Sequence, residues 1–322
     1  LRFPEFSGEW KCTTIGNIGD IKNGPFGSVL HAEDYVENGI PIVTTEHFKT
    51  GLMPSDKFGI PQVSNEDYIR LKGYRLETND IVFSRVGSVD INAHVGIEQN
   101  GWLFSGRVLR VRPKYDIDSL FLHYALSTEA VKRDIRNRAV GQTMPSINTP
   151  ILSSTTIQLP KDLFEQKKVA HFLRLLDERI ITQNKIIEKL QSLIKGLRVC
   201  CMQRVYGNNV YLSEIAQIYQ PQTISSTELT EDGFLVYGAN GIIGKYKDYN
   251  HETEQICITC RGNTCGMVNY TKPMSWITGN AMVINTDKYQ DKVCKRYLYH
   301  YLSAYNFNSI ISGSGQPQIV RT

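Results

Sequence analysis

The chain has 322 residues, 41 % of them hydrophobic, with a formal net charge of +4, so it is long and apolar enough for two domains with separate cores and is not expected to be disordered. It has no run of about 18 uncharged apolar residues and no signal-peptide pattern, which excludes a membrane partner and favours a cytoplasmic protein. Its seven cysteines follow no disulfide framework, and its near-neutral charge means that any DNA binding must come from local patches.

Residues 1–160 are predicted to form a first domain of strands and short helices. The apolar run Ile81-Val82-Phe83 is typical of a buried strand, and Gly87 in the following segment Ser84–Ser88 predicts a turn. Further along the chain come Trp102, Gly106, the alternating strand Val108–Val111, the helix-like Leu120–Tyr124 and the pair Gly141-Gln142.

Residues 161–206 are predicted to form one long helix. Pro160 ends the first domain, Asp162 is the expected N-cap, and Glu165 would complete a capping box. Extended to Val205, the helix would be roughly 65 Å long, which favours a spacer over an ordinary core helix. Steps of four and three residues trace an apolar heptad seam that needs a partner helix. The seam consists of Val169, Leu173, Leu176, Ile180, Ile187, Leu190, Ile194 and Leu197, continues to Cys201, and is interrupted only by Gln183.

Residues 207–322 are predicted to form a second domain that repeats the first at an offset of about 174 residues. The same features recur in the same order, which makes chance matching a poor explanation. The corresponding features are Thr259–Asn263, Trp276, Gly279, the strand Ala281–Ile284, the helix-like Tyr297–Tyr301 and Gly315-Gln316. The predicted fold is therefore α+β, with two homologous domains separated by a long coiled-coil-forming helix.

Three local motifs add to this layout. They are Asn23-Gly24-Pro25-Phe26-Gly27-Ser28-Val29-Leu30 followed by Gly39-Ile40-Pro41-Ile42; Val236–Gly244; and Leu159-Pro160 through Glu165-Gln166-Lys167-Lys168-Val169-Ala170 to Leu176-Asp177. With the order of repeat, helix and repeat, they resemble the specificity subunits of type I restriction-modification enzymes. The resemblance covers essentially the whole chain.

The resemblance implies that each domain is a target-recognition domain that reads one half of a split site in double-stranded DNA. Methyltransferase subunits, and through them restriction and translocase subunits, would supply all the chemistry of the assembled endonuclease, adenine methyltransferase and ATP-dependent translocase. The chain itself would be non-catalytic, without a metal or cofactor. Such a spacer would turn two weak contacts into one tight contact and reject half-sites at the wrong distance.

The sequence departs from the family pattern at its end. Family members have a second helix that pairs antiparallel with the first, whereas this chain stops at Arg321-Thr322. The internal repeat implies that about 55 residues are missing, and the absence of an initiator Met also indicates a fragment. We therefore expect a truncated chain whose helical seam lacks its intramolecular partner.

Basic residues are the candidate DNA contacts. Arg110, Arg112 and Lys114 alternate along a strand, so they share one face and could neutralise phosphates, as could a cluster formed by Lys132, Arg133, Arg136 and Arg138; a merely solvated face is the alternative for both. Candidates for base or phosphate contact are Arg85 and Arg261 in the glycine turns, and Lys245 and Lys247 after the glycine-rich loop of the second domain.

Metal binding and catalysis have weaker support. Cys257 and Cys260 on an alternating strand would point to opposite faces, and Cys265 brings no second pair, so packed thiols are favoured over a zinc site. The seven histidines form no nucleophile or metal motif; His123 and His300 are predicted to occupy equivalent positions in the two copies.

Three alternative functions remain open at this point. The chain could be the recognition region of a single-chain restriction-methylation enzyme, which would continue into catalytic segments. It could be a protein-binding scaffold, against which salt-dependent duplex binding would argue. A metal- or cysteine-dependent enzyme is the third, and stoichiometric zinc would support it.

Overall fold

The computed structural model describes residues 2–25, 30–203, 206–239, 241–313 and 315–320. The chain has the predicted mixed α+β character and divides into two compact units, residues 1–182 and 183–322. The boundary falls inside the long helix, and the division into 1–160, 161–206 and 207–322 stays a prediction. Parts of the predicted motifs and ends lie outside the described residues: Phe26 to Val29, Arg204 and Val205, Asn240, Arg321 and Thr322.

The first unit has two main sheets. Its strands are β1 (Lys11–Thr14), β2 (Gly19–Asn23), β3 (Tyr35–Val36), β4 (Ile40–Val43), β5 (Gln62–Val63), β6 (Ile81–Ser84), β7 (Asn92–His94), β8 (Leu103–Phe104), β9 (Val108–Pro113) and β10 (Thr156–Leu159). One sheet has the order β2-β9-β6-β7 and is antiparallel; the other has the order β3-β5-β4-β8, with β4 and β8 parallel; β1 pairs with β10.

Helices cover one face of the antiparallel sheet of this unit. They are α1 (Ile15–Ile18), α3 (Ser119–Leu126), α4 (Glu129–Arg138), α5 (Thr149–Ser153) and the beginning of α6 (Leu163–Gln203). The helix α2 (Asn65–Arg70) lies against the other sheet, where its Tyr68 packs on the cluster that contains Ile42 and Leu103. Strand β9 contributes Leu109 and Val111 to the core beneath α3 to α5, and Val108 to a second core against the other sheet. This division follows from the alternation of side chains along a strand.

The second unit repeats the sheet plan. Its strands are β11 (Gln217–Tyr219), β12 (Phe234–Gly238), β13 (Gly241–Tyr246), β14 (Ile256–Thr259), β15 (Val268–Tyr270), β16 (Trp276–Ile277) and β17 (Ala281–Asn285), and its helices are the end of α6, α7 (Leu212–Ile215) and α8 (Lys295–Ala304). The order β11-β17-β14-β15 matches β2-β9-β6-β7, and the parallel pair β12-β16 matches β4-β8. The predicted duplication is therefore confirmed.

The strand register corrects some of the predicted correspondences. Gly141 matches Gly313 rather than Gly315, because these two glycines have positive φ angles of 102° and 88° and follow equivalent bridges. Trp276 matches Leu103, one residue after Trp102, by the register of the parallel strands.

The helices α3 and α8 correct the histidine pairing in the same way. Their N-caps, Asp118 and Cys294, place His123 opposite Tyr299, so the predicted equivalence with His300 is wrong. Buried leucines at the fourth and eighth positions of both helices agree with this register. One constant offset does not align all residues of the two copies, because insertions and deletions change the spacing between elements.

The helix α6 begins as predicted, but contacts other than the predicted capping box hold its first turn. Asp162 Oδ1 accepts a hydrogen bond from the amide of Phe164 at 2.8 Å, which confirms the N-cap. Glu165 does not complete a capping box: its buried carboxylate accepts hydrogen bonds from Arg2 Nε at 2.6 Å and Trp10 Nε1 at 3.1 Å. The reason is its position on the face of the helix that packs against the first domain.

The apolar seam of α6 has a buried beginning and an exposed remainder. Val169 packs against the first core, and Leu173 is half-buried. The seam residues from Leu176 to Leu197 are between 42 and 57 % exposed, so the described residues leave this stretch uncovered. Among the same residues, no helix is long and apolar enough to cross a membrane.

Candidate nucleic-acid interface

Three segments of the first domain meet at one end of its antiparallel sheet, and we call them the turn cluster. They are the turn after β6, the turn between β8 and β9, and residues 140–147. Backbone hydrogen bonds join them: the amide of Arg85 donates to the carbonyl of Arg107 at 3.0 Å, Gly87 to Pro145 at 2.8 Å, and Ile147 back to Arg85 at 2.9 Å. The cluster is thus held by main-chain groups, which leaves its side chains variable.

The second domain contains the same turn cluster. The amide of Cys260 donates to the carbonyl of Asn280 at 3.1 Å, Gly262 to Pro317 at 3.0 Å, and Ile319 to Cys260 at 3.0 Å. Gly87 and Gly262 have φ angles of 83° and 85°, a conformation that favours glycine and explains why both turns contain it. The bonds define equivalent positions: Arg85 with Cys260, Val86 with Arg261, and Arg107 with Asn280.

Side chains at equivalent positions of the two turn clusters differ in chemistry. Arg85 is half-buried and its Nη1 donates to the carbonyl of Gly106 at 3.1 Å, whereas Cys260 is fully buried. Arg107 and Asn280 are both exposed, and so is Arg261. The two domains therefore present different groups from one common backbone.

A cleft of about 500 Å³ opens beside the turn cluster of the first domain. Its described lining residues combine two cations with one carboxylate and several hydroxyls: Pro25, Leu30, Tyr35, Thr44, Thr45, Glu46, Arg85, Ser105, Gly106 and Arg107. The buried Ser105 hydroxyl has no hydrogen-bond partner among the described residues, and the equivalent Thr278 hydroxyl of the second domain has none either. The charged groups and hydroxyls that line the cleft can form hydrogen bonds with a polar ligand.

The basic stripe predicted on β9 is largely internal. Arg110 is only 5 % exposed and pairs with Asp20, while Arg112 makes a bidentate contact with Asp80 at 2.7 and 2.8 Å. Lys114 is exposed beyond the strand, and its Nζ donates to the carbonyl of Asn17 at 2.7 Å. Arg110 and Arg112 do share a face, as predicted, but that face carries their acidic partners.

The basic cluster of α4 contains two arginines in ion pairs and two basic residues without one among the described residues. Arg136 pairs with Glu129 and, at 2.6 Å, with Asp90, and Arg138 pairs with Asp134. Lys132 is half-buried and Arg133 is exposed, and neither forms an ion pair among the described residues. Arg133 is therefore the most available cation of this cluster.

The predicted lysines of the second domain lie on and after β13. Lys245 is half-buried with its Nζ 3.5 Å from Asp232 Oδ1. Lys247 is exposed, with its Nζ 6.0 Å from the ring centroid of Tyr246.

Two cysteines of the second domain, Cys257 and Cys260, are buried packing residues. Cys257 and Cys260 lie in two different core clusters, which confirms that they face opposite sides of the sheet. Burial raises the pKa of the Cys257 thiol to about 12. No group of three or more metal-binding side chains occurs within the part of the chain that the structure describes.

Two histidines of the first domain, His94 and His123, form polar contacts in the interior. His123 Nδ1 lies 2.7 Å from Asn92 Oδ1, Asn92 Nδ2 donates to Ser127 Oγ at 3.1 Å, and His94 Nε2 lies 2.9 Å from Ser119 Oγ. Burial, and then the nearby His94, lower the pKa of His123 to about 4. Both the contacts and the neutral imidazole indicate a structural role.

The sequence patterns did not single out Arg107 and Asn280 as exposed residues of the turn clusters. A signal was present, because each residue directly follows a glycine that matches between the copies, Gly106 and Gly279. What the sequence did not show is that the main chain of each residue is fixed in the turn cluster while its side chain stays exposed.

The chain belongs to a known family. Residues 7–192 and 208–322 match the type I restriction modification DNA specificity domain. The match covers both halves of the internal repeat, so the two domains are two copies of this family's unit.

Individual relatives agree with this assignment. The chain is 28 % identical over 212 residues to the type I restriction enzyme MjaVIII specificity subunit of Methanocaldococcus jannaschii, an alignment that covers 66 % of this chain and 44 % of that protein. It is 32 % identical over 246 residues to the putative MjaX specificity subunit of the same organism, covering 72 % and 54 %. The chain therefore spans about half the length of the curated relatives it matches.

The fold is shared with a solved structure. The crystal structure of the type I restriction-modification system S subunit from M. genitalium matches 94 % of this chain and 79 % of its own, with a TM-score of 0.62 and 17 % identity. At this identity the similarity concerns the fold.

Proposed function

We propose that this chain is the DNA-recognition subunit of a type I restriction-modification system, and that each domain reads one half of a bipartite duplex site. The observation that carries the proposal is the turn cluster, built twice on the same backbone with different exposed side chains. A shared scaffold suits a shared ligand, and different side chains suit two different base sequences. Recognition of the DNA site would then require no catalytic group on this chain.

Methyltransferase subunits, and through them restriction and translocase subunits, are the proposed protein partners. Membership of the type I restriction modification specificity family supports these partners. The exposed seam of α6 would instead pair with the second helix that the family pattern expects, because apolar residues at heptad spacing are stabilised when a facing helix removes them from water. We further propose that the complex acts in the cytoplasm, where cellular DNA and these subunits meet.

Salt-dependent binding to duplex DNA tests the recognition role. The affinity of the chain, assembled with its methyltransferase subunit, should fall linearly with salt on logarithmic axes, because bound phosphates release counterions. Arg133→Ala should reduce the magnitude of the slope by about one if this exposed cation meets one phosphate. Arg136→Ala is the matched control: Asp90 and Glu129 already neutralise Arg136, so its effect should be smaller.

One outcome would contradict the proposed function, and a second would contradict only the role of α4 in DNA binding. Absence of salt-dependent duplex binding by the assembled complex would argue for a protein-binding scaffold instead. An unchanged slope in Arg133→Ala would assign α4 to a solvated face and confine DNA contact to other surfaces of the domain.

A further inference from the structure

We propose that Arg107 and Asn280 are corresponding base-reading residues, with Arg107 recognising guanine in one half-site and Asn280 recognising adenine in the other. The inference rests on the proposed function, since it specifies what the turn clusters of a DNA-recognition subunit would read.

The backbone holds these two residues in the same way. Each is the third residue of a short turn, Ser105-Gly106-Arg107 or Thr278-Gly279-Asn280, and its carbonyl accepts a hydrogen bond from the first residue after β6 or β14. The turn is also bonded to the neighbouring parallel strand and closed on itself. The paired hydrogen bonds are Ser105 to Val43 and Thr278 to Tyr237, both at 2.9 Å, and Val108 to Ser105 at 3.0 Å and Ala281 to Thr278 at 2.9 Å.

Such bonding makes both positions rigid, and rigid elements position recognition groups better than mobile loops do. The site therefore has the same main-chain geometry in both domains, and only the side chain differs. Differences in recognition between the domains at this position must then come from the side chain itself.

Both side chains are exposed and available. Neither Arg107 nor Asn280 has a hydrogen-bond or ion-pair partner among the described residues. Arg110 and Arg112 on the following strand, by contrast, are held by Asp20 and Asp80. Base recognition requires groups that are still able to form hydrogen bonds, and Arg107 and Asn280 meet that condition.

The chemistry of the pair fits base edges in the major groove. A guanidinium donates two hydrogen bonds to O6 and N7 of guanine, and a carboxamide both accepts from N6 and donates to N7 of adenine. Each bidentate contact distinguishes the correct base by about 1–3 kcal/mol, which corresponds to roughly 5- to 150-fold in affinity. An Arg and an Asn at one structural position therefore fit two half-sites of different sequence.

Phosphate contact fits these residues less well. Asn280 is neutral and cannot neutralise a phosphate, although its backbone position is the same as that of Arg107. The cleft beside Arg107 also contains Arg85 and the carboxylate of Glu46, so Glu46 offsets one of the two positive charges that a phosphate would need.

Exchange of the two side chains tests the inference. The chain is produced with its methyltransferase subunit in a host, and the methylated motif is mapped by sequencing for the natural protein, Arg107→Asn and Asn280→Arg. Arg107→Asn should replace guanine by adenine at one position of one half-site and leave the other half unchanged. Asn280→Arg should produce the reverse change in the other half. Arg70→Asn, an exposed arginine on α2 that pairs with Asp67, is the control and should leave the motif unchanged.

A variant that does not methylate is tested by binding. Duplexes carrying each of the four bases at every position of the mapped half-site are compared for the assembled Arg107→Asn complex and the natural one. Loss confined to guanine at one position supports the inference, whereas equal loss for all four bases overturns it in favour of a phosphate or packing role.

The remaining outcomes separate this inference from the proposed function. A bipartite motif that stays unchanged in both active variants overturns base reading by Arg107 and Asn280 and leaves the DNA-recognition role intact. A natural complex that binds no duplex and methylates no bipartite motif overturns the proposed function itself.

Discussion

Arg110 and Arg133 carry the same charge in the same domain, but their surroundings differ. Arg110 is 5 % exposed and pairs with Asp20, whereas Arg133 is exposed and forms no ion pair among the described residues. Separating a buried arginine from its carboxylate leaves an uncompensated charge, so such a pair is retained for the fold. Candidate DNA contacts are therefore selected by burial and pairing rather than by charge alone.

Protonation of His123 should destabilise the first domain at low pH. Its pKa lies at about 4, below the ordinary value of 6.5, so the unfolded chain takes up a proton at pH values where the folded chain stays neutral. The contribution is fully present above about pH 6.5 and is lost as the pH falls towards 4; at most it amounts to about 3 kcal/mol. His123→Asn, which keeps a donor near Asn92 Oδ1, should reduce this dependence.

Denaturant unfolding at several pH values measures the effect. The slope of unfolding free energy against pH between 4 and 6.5 should be smaller in His123→Asn than in the natural protein. His171→Asn, at an exposed position on α6, is the control and should keep the natural slope. Equal slopes in all three proteins would show that His123 is not the responsible group.

At the level of elements, α6 owes its attachment to a few residues in its first turns. Gln166 is 1 % exposed; its Oε1 accepts from the amide of Asp118 at 2.9 Å and its Nε2 donates to the carbonyl of Pro160 at 3.0 Å. About three turns further along the helix, Tyr124 donates a hydrogen bond to Asp177 at 2.7 Å. These contacts give Gln166 and Asp177 their roles: they connect the helix to α3 and to the end of the strand before it.

Gln166→Ala should lower the free energy of unfolding of the first domain by about 2 kcal/mol, because two buried backbone groups lose their partners. Gln183→Ala is the matched control, since Gln183 is an exposed residue of the same helix and the gain in helix propensity is the same. It should change stability by less than about 0.5 kcal/mol. Thermal unfolding of both variants checks the difference, and equal destabilisation would contradict it.

At the level of the whole molecule, α6 is one continuous helix from Leu163 to Gln203 that contributes residues to both compact units. If the two domains read separate half-sites, we expect the length of this helix to set the distance between the half-sites. The domains then determine which bases are read, and the helix determines how far apart they are.

Insertion of four residues between Lys185 and Leu190 should increase the permitted spacing between half-sites by about one or two base pairs. The insertion adds about 6 Å of helix and a rotation of about 40°, and a base pair rises about 3.4 Å. The exposed seam is disturbed by a four-residue stutter, which coiled coils absorb by local unwinding. Methylation mapping in the assembled complex reads the spacing; an unchanged spacing with retained activity would make the helix a packing element only.

The sequence by itself predicted the duplication, the α+β class, the long helix and the family. These properties depend on local patterns: the order of strands and glycine turns, and an apolar repeat along one segment. Such patterns are readable without knowing which distant residues meet.

Only the tertiary structure showed which charged groups are committed to ion pairs and which residues occupy the turn cluster. Arg110 meets Asp20 across 90 residues of sequence, and Arg2 meets Glu165 across 163. The sequence aligned the glycines before Arg107 and Asn280, but only the structure showed that both residues have the same main-chain hydrogen bonds and exposed side chains. Pairing and exposure arise from contacts between distant segments, and a residue's own sequence neighbours do not encode them.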